Sequence, residues 1–114
     1  MQPGRAVFVH SLAATEETSR KTTLVKTPQV ELIQLIVPAG RDVPTHQAQG
    51  EVVVHCLEGR VSLLALEKTY DLQSGQLLHL SCDDQFSIRG IDDASVLLTL
   101  IAAKTGGNVE LIGG

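Results

Sequence analysis

Apolar residues in this chain come in short blocks, some continuous and some alternating with polar ones: Val7-Phe8-Val9, then 30–37, 52–57, 61–66, 77–80 and 95–103. Turn formers part the blocks at Pro38-Ala39-Gly40, Glu58-Gly59, Gln73-Ser74-Gly75 and Gly90-Ile91-Asp92-Asp93. Short strands at this spacing, punctuated by Gly, Pro and Asp, predict an all-β sandwich or barrel. No segment carries an apolar stripe of period 3.6. The best helix candidate, 12–20, is mostly small and polar with threonine among it, and reads as a loop with an irregular turn. A further strand is predicted over 22–26, stopped near Thr27 because the residue before Pro28 prefers an extended backbone. Thr105-Gly106-Gly107-Asn108 breaks the last strand and leaves 109–112 as a short terminal strand or tail. The predicted organisation is an N-terminal strand and loop over 1–20, one barrel over 21–104, and a C-terminal tail or short strand over 105–114.

Two blocks are apolar on both faces. Over 30–37, Val30, Leu32 and Ile36 oppose Ile33, Leu35 and Val37; over 95–103, Val96, Leu98 and Leu100 oppose Leu97 and Ile101. A strand with one wet face alternates apolar and polar residues, so both faces of these two must be covered. With no helix to spare, the expected cover is a second copy of the chain, giving a homodimer.

At 114 residues the chain holds one domain, and 43% apolar content excludes disorder over most of it. No apolar run approaches the ~18–20 residues of a membrane-spanning helix. Met1-Gln2-Pro3-Gly4-Arg5 lacks the charged-then-apolar layout of a signal peptide, so a cytoplasmic protein is expected. Cys56 and Cys82 form no CxxC pair and, in that setting, read as buried free thiols. A net charge of −4 with no Lys/Arg cluster, and only 3% aromatic residues, argue against nucleic acid as a partner. Neither a nucleophile elbow nor a phosphate loop nor a dinucleotide fingerprint is present, so nucleophilic hydrolysis and phosphoryl transfer lose support.

The segment Gly40-Arg41-Asp42-Val43-Pro44-Thr45-His46-Gln47-Ala48-Gln49-Gly50-Glu51, followed by Val52 and the β-branched run to Leu57-Glu58-Gly59-Arg60-Val61, is the most informative. It reads as strand, polar turn with one histidine, strand, Gly turn, strand. Downstream come Leu72-Gln73-Ser74-Gly75-Gln76-Leu77-Leu78 and Asp92-Asp93-Ala94-Ser95-Val96-Leu97-Leu98. In this order, over about 21–101, the chain resembles a small single-domain cupin of the RmlC-like kind. That resemblance implies a jelly-roll barrel, the double-stranded β-helix. It also implies metal ligands at positions 46, 48, 52 and 86, which here are His46, Ala48, Val52 and Phe86. Only the first can bind a metal. Glu51 sits one residue before the expected glutamate, and period two turns it away from the lumen unless a bulge restores it. No cofactor is therefore expected. If a metal were found, His46 and Glu51 would be its candidate ligands.

A barrel that loses a metal cluster must refill its lumen with side chains that demand no partner. Ala48, Val52, Val54, Cys56 and Phe86 suit that role, with His46 as the main polar group near the mouth. The expected ligand-binding set is thus His46, Val52, Val54, Cys56 and Phe86, around an unidentified small organic molecule. His55 and His79 have the parity of the outer face, and Asp83-Asp84 and Asp92-Asp93 read as turn residues. The leading reading is a small-molecule-binding or sensing module. The alternatives are a metal-dependent dioxygenase or isomerase, and a metal-free isomerase in which His46 is the acid/base. A purely structural protein whose main property is dimerisation is the third class.

Overall fold

Among the described residues nine strands make up the regular structure: β1 Arg20–Lys26, β2 Val30–Val37, β3 Asp42–Pro44, β4 Gly50–Glu58, β5 Arg60–Ala65, β6 Lys68–Gln73, β7 Leu77–Leu80, β8 Phe86–Gly90 and β9 Ala94–Ala102. They belong to a computed structural model that describes residues 4, 6, 7, 9, 19–44, 50–65, 67–80 and 85–102. The pairings between these strands are antiparallel and build two facing sheets, β1-β2-β9-β4-β7 and β3-β8-β5-β6. This is the jelly-roll plan that the alternating blocks predict. β2 and β7 keep the predicted bounds, while β4 starts two residues earlier than predicted and ends one later, at Gly50 and Glu58. β6 and β8 are additional. Of the predicted helix candidate 12–20, residues 12–18 lie outside the described residues, as do Phe8, Leu66 and everything after Ala102, and Arg20 begins β1.

Register sorts the inward side chains of the larger sheet into rows. Glu31, Leu100, Val52 and Leu80 form one row; Ile33, Leu98, Val54 and Leu78 the next; Leu35, Val96 and Cys56 a third; Val37 and Ala94 a fourth. The smaller sheet answers with Phe86 and Ala65, then Val43, Ile88, Leu63 and Tyr70, then Val61 and Leu72. Val37, Val54, Cys56, Val61, Leu63, Ile88 and Val96 are fully enclosed. The space between the sheets at that depth is therefore packed with aliphatic side chains, as close packing of an interior requires.

The two ends of the barrel differ. At one end the backbone is tied tightly: Gly40 and Arg41 exchange hydrogen bonds with Gly90, Ala39 donates to the Asp93 carboxylate at 2.9 Å, and Ser74 donates through Oγ to the Leu57 carbonyl at 3.0 Å. Two glycines allow this closeness. A Cβ on Gly59, which has φ +80, would collide with the Asp93 carbonyl and come within 2.8 Å of Ala94 Cα. One on Gly90 would strike the Pro38 carbonyl. At the opposite end lie the strand ends Pro44, Gly50, Ala65, Leu80, Phe86 and Ala102.

The outer face of the larger sheet departs from expectation in one respect. Gln34 and Ser95, both at most 2% exposed, hydrogen-bond each other at 2.8 Å there, and Ile36 beside them is equally buried. That burial is complete within a single chain, so a second copy is not needed to cover this part of the face. Toward β4 and β7 the same face opens, and Leu77 is 60% and Ile101 37% exposed.

Candidate functional site

The described candidate residues are spread along the barrel from the end opposite the tight closure. Val52 on β4 and Phe86 on β8 are both buried and lie near that end of their sheets, Val52 one row in from the Gly50–Ala102 pair. Their rows also hold Leu80, Ala65, half-buried Leu100 and half-buried Glu31. Val54 lies one row deeper. Cys56 lies two rows deeper, beside the closed end, where its thiol sits 3.5 Å from the Glu58 carbonyl and 3.6 Å from that of Gly59. Burial raises the pKa of that thiol above its ordinary value. The expected lining residues thus occupy different depths: Val52 and Phe86 at the rim, Val54 below them, Cys56 at the floor. His46, with all of 45–49, lies outside the described residues, as does Cys82.

Parity explains why these residues share a face. In β4 the buried positions are Gly50, Val52, Val54 and Cys56, and the side chains between them point away from the core. Glu51 obeys the same rule. It is on the outer face, more than half exposed, and its Oε1 is 2.7 Å from His79 Nε2 on β7. No bulge restores it: the register from Gly50 to Cys56 runs unbroken against β9, and the shift comes only between Cys56 and Glu58. His55 also lies on the outer face and is half-buried.

The fold's usual metal chemistry can be tested against this donor set. At the two described positions that the resemblance assigns to ligands, the side chains are an isopropyl and a phenyl group, neither with a donor atom. Glu51 is engaged with a histidine on the opposite side of the sheet. Among the described residues no three His, Cys, Asp or Glu side chains come together as an ion site. The described side chains at these positions do not fit a metal.

Elsewhere among the described residues, several polar groups close a turn or pair with one another. Asp92 and Asp93 lie in the β8–β9 turn, where Asp93 caps Ala39, as a turn role requires. On the outer face of the smaller sheet, Arg60 grips Asp71 with two hydrogen bonds, at 3.0 and 2.5 Å, and Arg89 grips Asp42 at 3.0 and 3.2 Å. The hydrogen bond from Arg60 holds the Asp71 carboxyl below its ordinary pKa. Among the described residues, no helix is long and apolar enough to cross a membrane.

Sequence reasoning missed four members of the rows at the end opposite the closure, Leu80, Ala65, Leu100 and Glu31. Parity within each strand was signal enough for the first three; Glu31 reads as an outward charge until its register with Leu100 is known.

No protein-family model and no curated protein matches the chain. Solved structures do. An RmlC-like cupin family protein with a double-stranded β-helix fold from Methanocaldococcus jannaschii superposes with a TM-score of 0.73 at 14% identity, over 90% of this chain and 94% of that one. A cupin superfamily protein from Desulfitobacterium hafniense gives 0.73 at 16%, over 80% and 84%. A salicylate 1,2-dioxygenase from Pseudoaminobacter salicylatoxidans gives 0.67 at 14%, over 78% of this chain and 26% of that one. The fold is the cupin double-stranded β-helix. At such identities the likeness carries the fold and no activity.

Proposed function

We propose that this cupin-fold chain binds a small organic molecule at the open end of its barrel and performs no metal chemistry there. One observation supports this most: Val52, Leu80, Ala65 and Phe86 bring an apolar, donor-free collar to that end, above an interior already packed at Val54 and Leu63. Such a collar favours the apolar body of a ligand and fixes no charged one. Polar specificity then falls to groups at the rim. His46, in the segment joining β3 to β4, is the candidate for one orienting hydrogen bond. Val54 lies directly beneath the ligand, and Cys56, two rows below the rim, closes the floor. Two observations speak against the metal-dependent enzyme reading: positions 52 and 86 supply no ligand atom, and Glu51 is turned to the outer face of the sheet. The buried free thiol of Cys56 suits a reducing compartment and so supports a cytoplasmic setting.

The test is a ligand-observed NMR screen of small apolar and half-polar compounds against wild type and Val52→Trp, with elemental analysis alongside. Expected are saturable binding to wild type, its loss in Val52→Trp with an unchanged circular dichroism spectrum, and weakening in His46→Ala. Binding indifferent to Val52→Trp would place the site elsewhere. A stoichiometric metal lost on His46→Ala would instead promote the metal-enzyme reading.

A further inference from the structure

Glu31 breaks the pattern of the barrel interior. Across β2, β9, β4 and β7 the described inward rows hold aliphatic side chains and Cys56, with Glu31 as the one charged member. It is half-buried and stands in the row of Leu100, Val52 and Leu80, at the end opposite the tight closure. A charge kept only for solubility belongs on the outer face, where Glu51 sits. Register with Leu100 puts Glu31 on the inner one.

A carboxylate partly withdrawn from water costs free energy unless a donor or a cation meets it. The cross-strand neighbours supply neither. Leu100 has no polar side-chain atom, and Lys26, opposite on β1, is exposed and forms no ion pair with Glu31. Among the described residues no hydrogen bond or ion pair reaches the Glu31 side chain, whereas Asp42, Glu51, Asp71 and Asp93 each have a partner.

We propose that Glu31 receives the ammonium group of the ligand, so that the site takes an apolar primary amine. This rests on the binding at this end proposed above, and it adds the head group that an aliphatic collar cannot fix. Neighbouring strands lie about 4.8 Å apart, so about 10 Å of the row separates the backbones of Glu31 and Val52. The glutamate side chain, and a ligand with a short stem between its ammonium and its apolar body, fill that span. The ammonium meets the carboxylate over Leu100, and the body rests on Val52 and Leu80. A primary ammonium brings three donors to two acceptor oxygens, and such charge-assisted hydrogen bonds are about twice as strong as neutral ones. An amine is therefore preferred to an alcohol of the same shape, and a carboxylate is repelled.

Three compounds with one apolar body test this: 2-phenylethylamine, 2-phenylethanol and 3-phenylpropanoate. They are titrated by methyl-resolved NMR into wild type, Glu31→Gln, Glu51→Gln and Val52→Trp. In wild type the amine should bind at least about tenfold tighter than the alcohol, with the carboxylate weakest. Glu31→Gln keeps the shape of the side chain and should bring the amine down to the level of the alcohol, whose own affinity stays. Glu51→Gln removes the same charge from the outer face and should leave the ranking intact. An equal loss there would show attraction to the chain's net charge of −4 and overturn the proposal. Equal binding of amine and alcohol to wild type overturns it as well, whether or not Glu31→Gln folds. If the alcohol binds and is lost in Val52→Trp with no preference for the amine, binding at this end stands and the role of Glu31 falls. If all three compounds ignore Val52→Trp, the binding reading falls and this one with it.

Discussion

Val54→Ala measures whether the barrel is filled below its open end. Val54 is fully enclosed, one row beneath Val52 and in register with Leu98 and Leu78. Removing its two methyl groups forfeits about 0.8 kcal/mol of transfer energy for each, about 1.6 kcal/mol together. If neighbours do not collapse, a void of roughly 50 Å³ adds about 1.2 kcal/mol at ~24 cal/mol per Å³. The expected loss is thus about 3 kcal/mol, which lowers Tm by roughly 12 °C at about 4 °C per kcal/mol for a chain of this size. Urea unfolding followed by far-UV circular dichroism is the assay, since the chain has no tryptophan. Val52→Ala is the internal comparison. The same atoms are removed in the row at the open end, where solvent or ligand can occupy the vacancy, so only the transfer part of about 1.6 kcal/mol should be lost. A Val54→Ala cost below about 1 kcal/mol would refute a packed lower barrel and extend the cavity to that depth.

Further outcomes can be checked independently. Gly59→Ala should destabilise by more than Gly75→Ala: both positions have positive φ, worth about 1–3 kcal/mol, but only the Cβ at 59 meets backbone, at Asp93 and Ala94. Equal midpoints in urea would contradict the tight closure of that end. In a Cys82→Ser background, Cys56 should resist iodoacetamide in native protein and react in urea. Because the folded thiol's pKa is raised, its stabilising contribution is full below the unfolded value of about 8.5 and is lost as pH rises through the folded one. Unfolding free energy should therefore fall more steeply at alkaline pH than in Cys56→Ala, and parallel curves would count against it. Asp71 should titrate below the ordinary carboxylate range of about 3.9 by NMR and return toward it in Arg60→Gln, because Arg60 donates two hydrogen bonds to it. With a depressed folded pKa, that contribution is present above the unfolded value and fades as pH falls through the folded one. An unshifted Asp71 in wild type would show that the pair does not persist in solution.

Much of the architecture is legible in residue order because strands announce themselves by local composition. β2 and β7 carry their bounds in their apolar runs, and Pro, Gly and Asp mark most of the turns. β6 escapes for a physical reason: only Leu72 is buried and Tyr70 half-buried among Lys68, Thr69, Asp71 and Gln73, the composition of a strand with a wet edge. β8 is different, since Phe86-Ser87-Ile88-Arg89-Gly90 alternates plainly and its period-two pattern was available to be read. For the site, parity placed Val52, Val54 and Cys56 on one face and Glu51 on the other, and the structure agrees. Depth was beyond parity. That Cys56 lies at the closed end follows from its pairing with the Gly75–Gln76 turn, a contact set by tertiary register. The same holds for partners far apart in sequence, Glu51 with His79 and Gln34 with Ser95, which no local pattern announces.

Binding at the open end is tested most directly by methyl-resolved NMR of protein labelled at Val, Leu and Ile, titrated with the apolar compounds that bind in the screen. Saturable shifts at Val52, Leu80 and Leu100, fading at Val54 and absent at Val61, Leu63 and Ile88, are the predicted result. Shifts centred on Leu63 and Ile88, or confined to Leu77, Leu97 and Ile101 on the outer face, would contradict it.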